Sequence, residues 1–152
     1  MNWWKYMEQT EVVEKIKTAL ETGQTELDLS NSDLESLPLE IWELTELTHL
    51  DLSNNDLEDL PPEIGYFTNL KSLFLFNNVL SSLPAEIVNL TELNDLNLSN
   101  NELESLSPEI GKLTNLTNLN VSNNDLTSLF PEIKYLIRLE TLYLFNNVSF
   151  SS

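Results

Sequence analysis

No cysteine occurs in these 152 residues. Disulfide staples, thiolate zinc sites and cysteine nucleophiles are therefore excluded for this chain. Glycine is almost as scarce: Gly23, Gly65 and Gly111 stand far apart, so no glycine-rich loop can cradle a phosphate. The one histidine, His49, has only the scattered carboxylates of Glu26, Asp28 and Asp51 around it, which is a poor donor set for a metal. No catalytic constellation can be assembled, and no cofactor is expected. Base is scarce as well. Seven Lys and Arg face 25 Asp and Glu, a net charge of -18, and between Lys17 and Lys71 there is neither Lys nor Arg. Such a field repels phosphate backbones and anionic lipid headgroups, so nucleic acid and membrane surfaces are poor partners and basic protein surfaces are better ones. No apolar run is long enough to span a bilayer, and the N-terminus lacks the apolar stretch of a secretory leader. The expected compartment is the cytoplasm.

What the sequence does have is a period. Leu27, Leu50, Leu73, Leu96, Leu119 and Leu142 recur every 23 residues, and two positions later come Leu29, Leu52, Leu75, Leu98, Val121 and Leu144. Side chains alternate along a strand, so Leu-x-Leu is a short strand with both leucines on one face. A unit this small cannot bury that face alone and must stack on its neighbours, which at one strand per repeat makes a parallel sheet. Segments around Pro38, Pro61 and Pro84, each followed by Glu-Ile, return the chain along the other side. Asn55, Asn78, Asn101, Asn124 and Asn147 follow the strands, with Ser32 standing in for the first. An amide both donates and accepts, so this row is expected to satisfy loop backbone from inside the coil. Glu40, Glu63, Glu86, Glu109 and Glu132 are expected to open the return segments, where backbone N–H groups favour a carboxylate.

The motif Leu-x-Leu-x-x-Asn-x-Leu-x-x-Leu-Pro-x-Glu-Ile over residues 25–147 resembles the leucine-rich-repeat family. Its 23-residue form is similar to the intracellular repeats of bacterial proteins, including the segments before the GTPase domain of Roco proteins, and of Ras-regulating scaffolds. The resemblance implies an α/β solenoid, a right-handed horseshoe whose concave parallel sheet binds protein ligands. Some bacterial ubiquitin-ligase effectors carry similar repeats, but their catalytic domain uses a cysteine that this chain lacks. The chain divides into an N-terminal helical cap at 1–24, six repeats at 25–147 with the last incomplete, and a tail at 148–152. In the cap, Val12, Val13, Ile16, Ala19 and Leu20 fall at helical spacing, with Thr10 expected as the N-cap and Gly23 as the stop. Trp3, Trp4, Tyr6 and Met7 are expected to precede this helix and cover the core of repeat one. No polar cap follows repeat six, where Ser149 and Ser152 occupy leucine positions.

The concave face carries what is left for function. Repeats 1, 2, 4 and 5 read Asp28/Ser30, Asp51/Ser53, Asn97/Ser99 and Asn120/Ser122 there, whereas repeats 3 and 6 read Phe74/Phe76 and Tyr143/Phe145. The same two repeats carry Val79 and Val148 where the others have Asp or Glu, which points to duplication of a three-repeat block. Aromatic pairs on an exposed sheet face are costly for solubility and typical of binding anchors. The expected function is therefore a non-enzymatic interaction module that binds a basic protein through Phe74, Phe76, Tyr143 and Phe145, with His49 at the same surface and Asp28, Asp51 and Asp95 supplying charge selectivity. The alternative is a structural protein that self-associates weakly through its uncapped sixth repeat.

Overall fold

The structure, a computed structural model, describes residues 3–148. It opens with helix α1, Trp3–Thr22, followed by six three-residue strands: β1 Glu26–Asp28, β2 His49–Asp51, β3 Ser72–Phe74, β4 Asp95–Asn97, β5 Asn118–Asn120 and β6 Thr141–Tyr143. The strands pair in sequence order as one open parallel sheet, and every register step is one full repeat, Leu27↔Leu50↔Leu73↔Leu96↔Leu119↔Leu142. Between strands the chain returns through 3₁₀ turns at Leu39–Glu43, Pro62–Tyr66, Ala85–Asn89, Pro108–Lys112 and Pro131–Tyr135. The glutamate row stands in the first turn of each. Pro38, Pro61 and Pro84 hold the entry residue extended, and in repeat four Ser107 does the same while its hydroxyl accepts from the Glu109 N–H.

The core is a stack of identical layers. Leu50, Leu73, Leu96 and Leu119 are buried, as are Leu52, Leu75, Leu98 and Val121 beside them and the isoleucines of the first four 3₁₀ turns behind. Each such side chain contributes about 1.5–3 kcal/mol by leaving water, and no repeat could secure that alone. Phe67 is fully buried and stacks on Trp42, with ring centroids 5.6 Å apart. Phe130, which replaces the turn proline in repeat five, is buried too.

Asn55, Asn78, Asn101 and Asn124 are buried and hydrogen-bonded from both ends of the amide. Asn101 donates to the carbonyls of Leu75 and Leu98 and accepts from the Leu80 N–H, one repeat back. Ser32 is tolerated because Asn55 serves repeat one, accepting from the N–H groups of both Ser32 and Leu34. A second asparagine row shapes the backbone instead. Asn31, Asn54, Asn77, Asn100, Asn123 and Asn146 all adopt positive φ, between 52° and 55°, where asparagine is tolerated better than most residues. Two of the glycines are required by closeness. A Cβ on Gly65 would lie 2.8 Å from Asn89 Nδ2 and 3.0 Å from the Glu86 carbonyl, and one on Gly111 would meet Glu132 in the same way.

Helix α1 departs from expectation at its start. It begins at Trp3, so Thr10 is interior and not the N-cap. Nothing between Trp3 and Thr10 breaks a helix, and Lys5, Met7, Glu8 and Gln9 are good helix formers, so the helix runs through. Met7 is largely exposed and covers no core; the side chains of Trp3, Trp4 and Tyr6 lie outside the described set, as do Ser149 and Ser152. The cap itself is made by Val12, Ile16 and Ala19, which join the core, while Leu20 stays exposed. At the other end Gly23 has φ of 64°, and the Gln24 N–H reaches the Ala19 carbonyl, closing a Schellman motif as the glycine predicts.

Candidate functional site

Side chains on the open face of the sheet form three columns. The first runs Glu26, His49, Ser72, Asp95, Asn118, Thr141, and the second Asp28, Asp51, Phe74, Asn97, Asn120, Tyr143. The third follows two residues later as Ser30, Ser53, Phe76, Ser99, Ser122, Phe145.

Columns two and three are chemically linked in four repeats, a feature that is overlooked when the acids are taken only as charges. Asp28, Asp51, Asn97 and Asn120 each accept, through Oδ1, from the backbone N–H of the serine two residues on. In three of them the serine hydroxyl donates to the same oxygen, at 2.6–2.7 Å. This side-chain bond closes the bend after each strand, and its sequence sign is Asp/Asn-Leu/Val-Ser. Asp28 is held below the usual carboxylate range chiefly by Ser30, through the nearness of its side chain and then its N–H, and more weakly by Lys15 of α1.

Phe74 and Tyr143 occupy the second column where this bond is lost, since neither ring offers an acceptor at that place. Register carries Phe74 to Asn97 to Asn120 to Tyr143, so the two aromatic pairs are three strand spacings apart, roughly 15 Å at the usual inter-strand distance. The pairs are not equally open. Phe74 and Phe76 are half-buried, whereas Tyr143 is 49 % exposed and Phe145 57 %, packed edge to face with centroids 6.4 Å apart.

The ionic residues are spread along the face. His49 is exposed, with Nδ1 2.9 Å from the Thr48 hydroxyl and 3.6 Å from a Glu26 oxygen. Among the described residues no three His, Asp or Glu converge on a point that could hold a metal ion. Asp95 in column one is half-buried, and the loss of water raises its carboxyl above the usual range, only partly offset by the Asn118 amide.

Comparison with known proteins fits this architecture. The family pattern described as a leucine-rich repeat region matches residues 26–142. The chain belongs to the leucine-rich-repeat family. Among solved structures it is similar to a leucine-rich-repeat protein of Leptospira interrogans, at 32% identity and a TM-score of 0.62 over 86% of this chain and 46% of that one. It is also similar to a Shigella effector leucine-rich-repeat domain, at 30% identity and a TM-score of 0.72 over 96% and 62% of the two chains. The leucine-rich-repeat ectodomain of a plant membrane receptor kinase from Arabidopsis thaliana, solved in complex with Casparian strip integrity factor 2, is 38% identical with a TM-score of 0.74 over 85% and 16%. This chain thus spans less than two thirds of each of these relatives. No curated protein matches it. Leucine-rich-repeat proteins are generally protein-interaction modules and typically not enzymes. Among the described residues no helix is long and apolar enough to cross a membrane.

Proposed function

We propose that the concave sheet binds a protein partner with a basic surface, gripped at Phe74, Phe76, Tyr143 and Phe145. The observation that carries this reading is the exchange in repeats 3 and 6. Four repeats use columns two and three to close their own bends, while these two give up that hydrogen bond and present rings instead. Folding gains nothing from exposing Tyr143 and Phe145 to water, and exposed aromatics of this kind are typical anchors of interfaces. Asp28, Asp51, Asp95 and His49 stand on the same face, and 13 acidic residues lie between Lys17 and Lys71 without a Lys or Arg among them. Charge of that density steers a basic partner, with nucleic acid and membranes disfavoured, and a cysteine-free chain suits the reducing cytoplasm. That a related ectodomain was solved holding a protein factor supports the choice of ligand class.

Affinity capture from cell extract tests the reading, using wild type, a Phe76→Ser, Phe145→Ser variant and, as control, Tyr66→Ser on the opposite side. The partner should be retained by wild type and control and lost by the double variant. In binding kinetics the aromatic substitutions should speed dissociation at any salt, by about 2 kcal/mol for each ring that is a hot spot. Asp28→Asn with Asp51→Asn should instead slow association and flatten its salt dependence. Capture untouched by the Phe76 and Phe145 substitutions overturns the assignment.

A second reading is weak self-association through repeat six. Ile137 is 82 % exposed where earlier repeats carry threonine, and Leu129 is 44 % exposed where Leu60 and Leu106 are buried. Sedimentation over a concentration series separates the two: a constant monomer mass removes self-association.

A further inference from the structure

Between the two aromatic pairs, β4 and β5 present small polar side chains and a single charge. That charge is Asp95, flanked in register by Ser72 and Asn118. It differs in kind from the other acids of the face. Asp28 and Asp51 are engaged by their own bends, each accepting from the serine two residues on. Asp95 closes no bend, has lost part of its water, and pairs with no Lys, Arg or His among the described residues. A partly dehydrated carboxylate without a counter-charge stands to gain most from an incoming cation. It also lines an open depression of about 260 Å³, together with Asn118, Asn120, Thr141 and Tyr143.

We propose that this depression receives the guanidinium of one arginine of the protein partner, an inference that rests on the concave face being the binding surface. The donor set selects arginine over lysine. One carboxylate stands among neutral oxygen acceptors, those of Asn118 and Thr141, and beside the Tyr143 ring. A guanidinium carries five N–H donors in a plane, can bond a carboxylate through two of them, and stacks on an aromatic face. It is also more weakly hydrated than an ammonium, so it enters a half-dry site more readily. Asn97 and Asn120 are less suited to accept, because their Oδ1 atoms already take both the N–H and the hydroxyl of Ser99 and Ser122.

The position of Asp95 makes the ligand pattern asymmetric. It lies one strand from Phe74 and two from Tyr143, and two residues along the strand from both, so the separations are roughly 8 and 12 Å. An extended peptide covers those in about two to three and about four residues. The recognised segment is thus an arginine with an apolar side chain about two to three positions away on one side and about four on the other.

The test is a side-chain amide NMR titration of the full chain with N-acetyl-arginine amide, N-acetyl-lysine amide and the neutral isostere N-acetyl-citrulline amide. The arginine probe should shift the Asn118 and Asn120 amide signals saturably, more tightly than the lysine probe, with no response to citrulline. Asp95→Asn should weaken binding about tenfold or more while leaving the spectrum folded, as expected for loss of a charged hydrogen-bond partner. Glu104→Gln, an exposed acid away from this depression, should leave it unchanged. Equal shifts with citrulline or lysine, or an undiminished response in Asp95→Asn, overturn the inference. Partner capture that depends on Phe76 and Phe145 without an arginine response at Asp95 sinks the arginine site alone. An Asp95-dependent arginine response with capture indifferent to those rings sinks the aromatic grip and keeps the site.

Discussion

Replacing Asn101 by alanine is the sharpest test of how the repeats are held. Its Nδ2 donates to the Leu75 carbonyl at 2.9 Å and to the Leu98 carbonyl at 3.0 Å, and its Oδ1 accepts from the Leu80 N–H at 3.0 Å. Leu75, Leu80 and Leu98 are all fully buried, so bulk water cannot take over. An orphaned buried backbone group costs about 1–3 kcal/mol. Here that group is the Leu80 N–H, because the Leu75 carbonyl keeps the Asn78 amide and the Leu98 carbonyl keeps the Asn124 amide. The void is amide-sized, and a trapped water with three polar partners would recover part of the loss. One orphaned N–H and two weakened carbonyls give an expected destabilisation of about 2–4 kcal/mol, a large share of the usual 5–15 kcal/mol of a folded domain. Asn147 makes the same three contacts, to the Val121 and Leu144 carbonyls and from the Leu126 N–H, but in a half-buried place. Its alanine variant should lose only about 1 kcal/mol, because water can enter the half-buried place that the amide leaves and the Val121 carbonyl keeps the Asn124 amide. Urea unfolding followed by circular dichroism reads both, compared at unchanged m-value. Asn101→Asp adds a second arm: the carboxylate can still accept from Leu80 but faces two carbonyls without a donor, so it should be at least as damaging as alanine at neutral pH and milder in acid. Equal losses for Asn101→Ala and Asn147→Ala would refute the idea that buried amides, and not leucine stacking alone, hold the bends.

Gly65→Ala should destabilise by about 1–3 kcal/mol, since the new methyl meets the Glu86 carbonyl at 3.0 Å, and thermal unfolding checks it; an unchanged midpoint would mean that the neighbouring turn yields freely. Asp28 and Asp95 should act oppositely on stability. The lowered carboxyl of Asp28 stabilises the fold above its unfolded pKa of 3.8, and that contribution is lost as pH falls through the lower folded value. The raised carboxyl of Asp95 destabilises the fold at neutral pH and is relieved as pH falls through its folded value toward 3.8. Asp28→Asn should therefore be less stable and Asp95→Asn more stable than wild type at pH 7, with both differences vanishing in acid. Native-state hydrogen exchange should find amides of β6 less protected than those of β3 and β4, because Leu142 and Leu144 are only half-buried. Equal protection in a monomer would reveal a cover over repeat six.

The sheet, its register and the buried amide row are readable from spacing, because each depends on a residue type that one physical role demands at one position of a 23-residue period. The left-handed asparagine row is harder, since in Asn54-Asn55 or Asn100-Asn101 two like residues stand together and only one enters the core. Nothing in the spelling says which. The bend closure by Asp28, Asp51, Asn97 and Asn120 is spelled out by the serine two residues on, but an aspartate on an acidic face has charge as its more obvious role. The start of α1 is misplaced by sequence because Thr10 has the chemistry of a cap, and capping residues signal a start only where the preceding segment cannot itself be helical. The unequal exposure of the two aromatic pairs is beyond sequence. Phe74 and Tyr143 occupy equivalent positions, and what separates them is whether another strand lies on both sides.

Asn55 hydrogen-bonds the Leu29 carbonyl and the N–H groups of Ser32 and Leu34, all in the repeat before its own, and Asn78, Asn101, Asn124 and Asn147 reach back in the same way. A repeat is thus finished only by its successor. On the ribosome each bend must wait for one more period of 23 residues to be made, about 1–5 s at ordinary synthesis rates. The newest strand is always the vulnerable one, with its leucines uncovered and its loop amides unanswered. Helix α1, made first and held by its own ladder, does not have to wait.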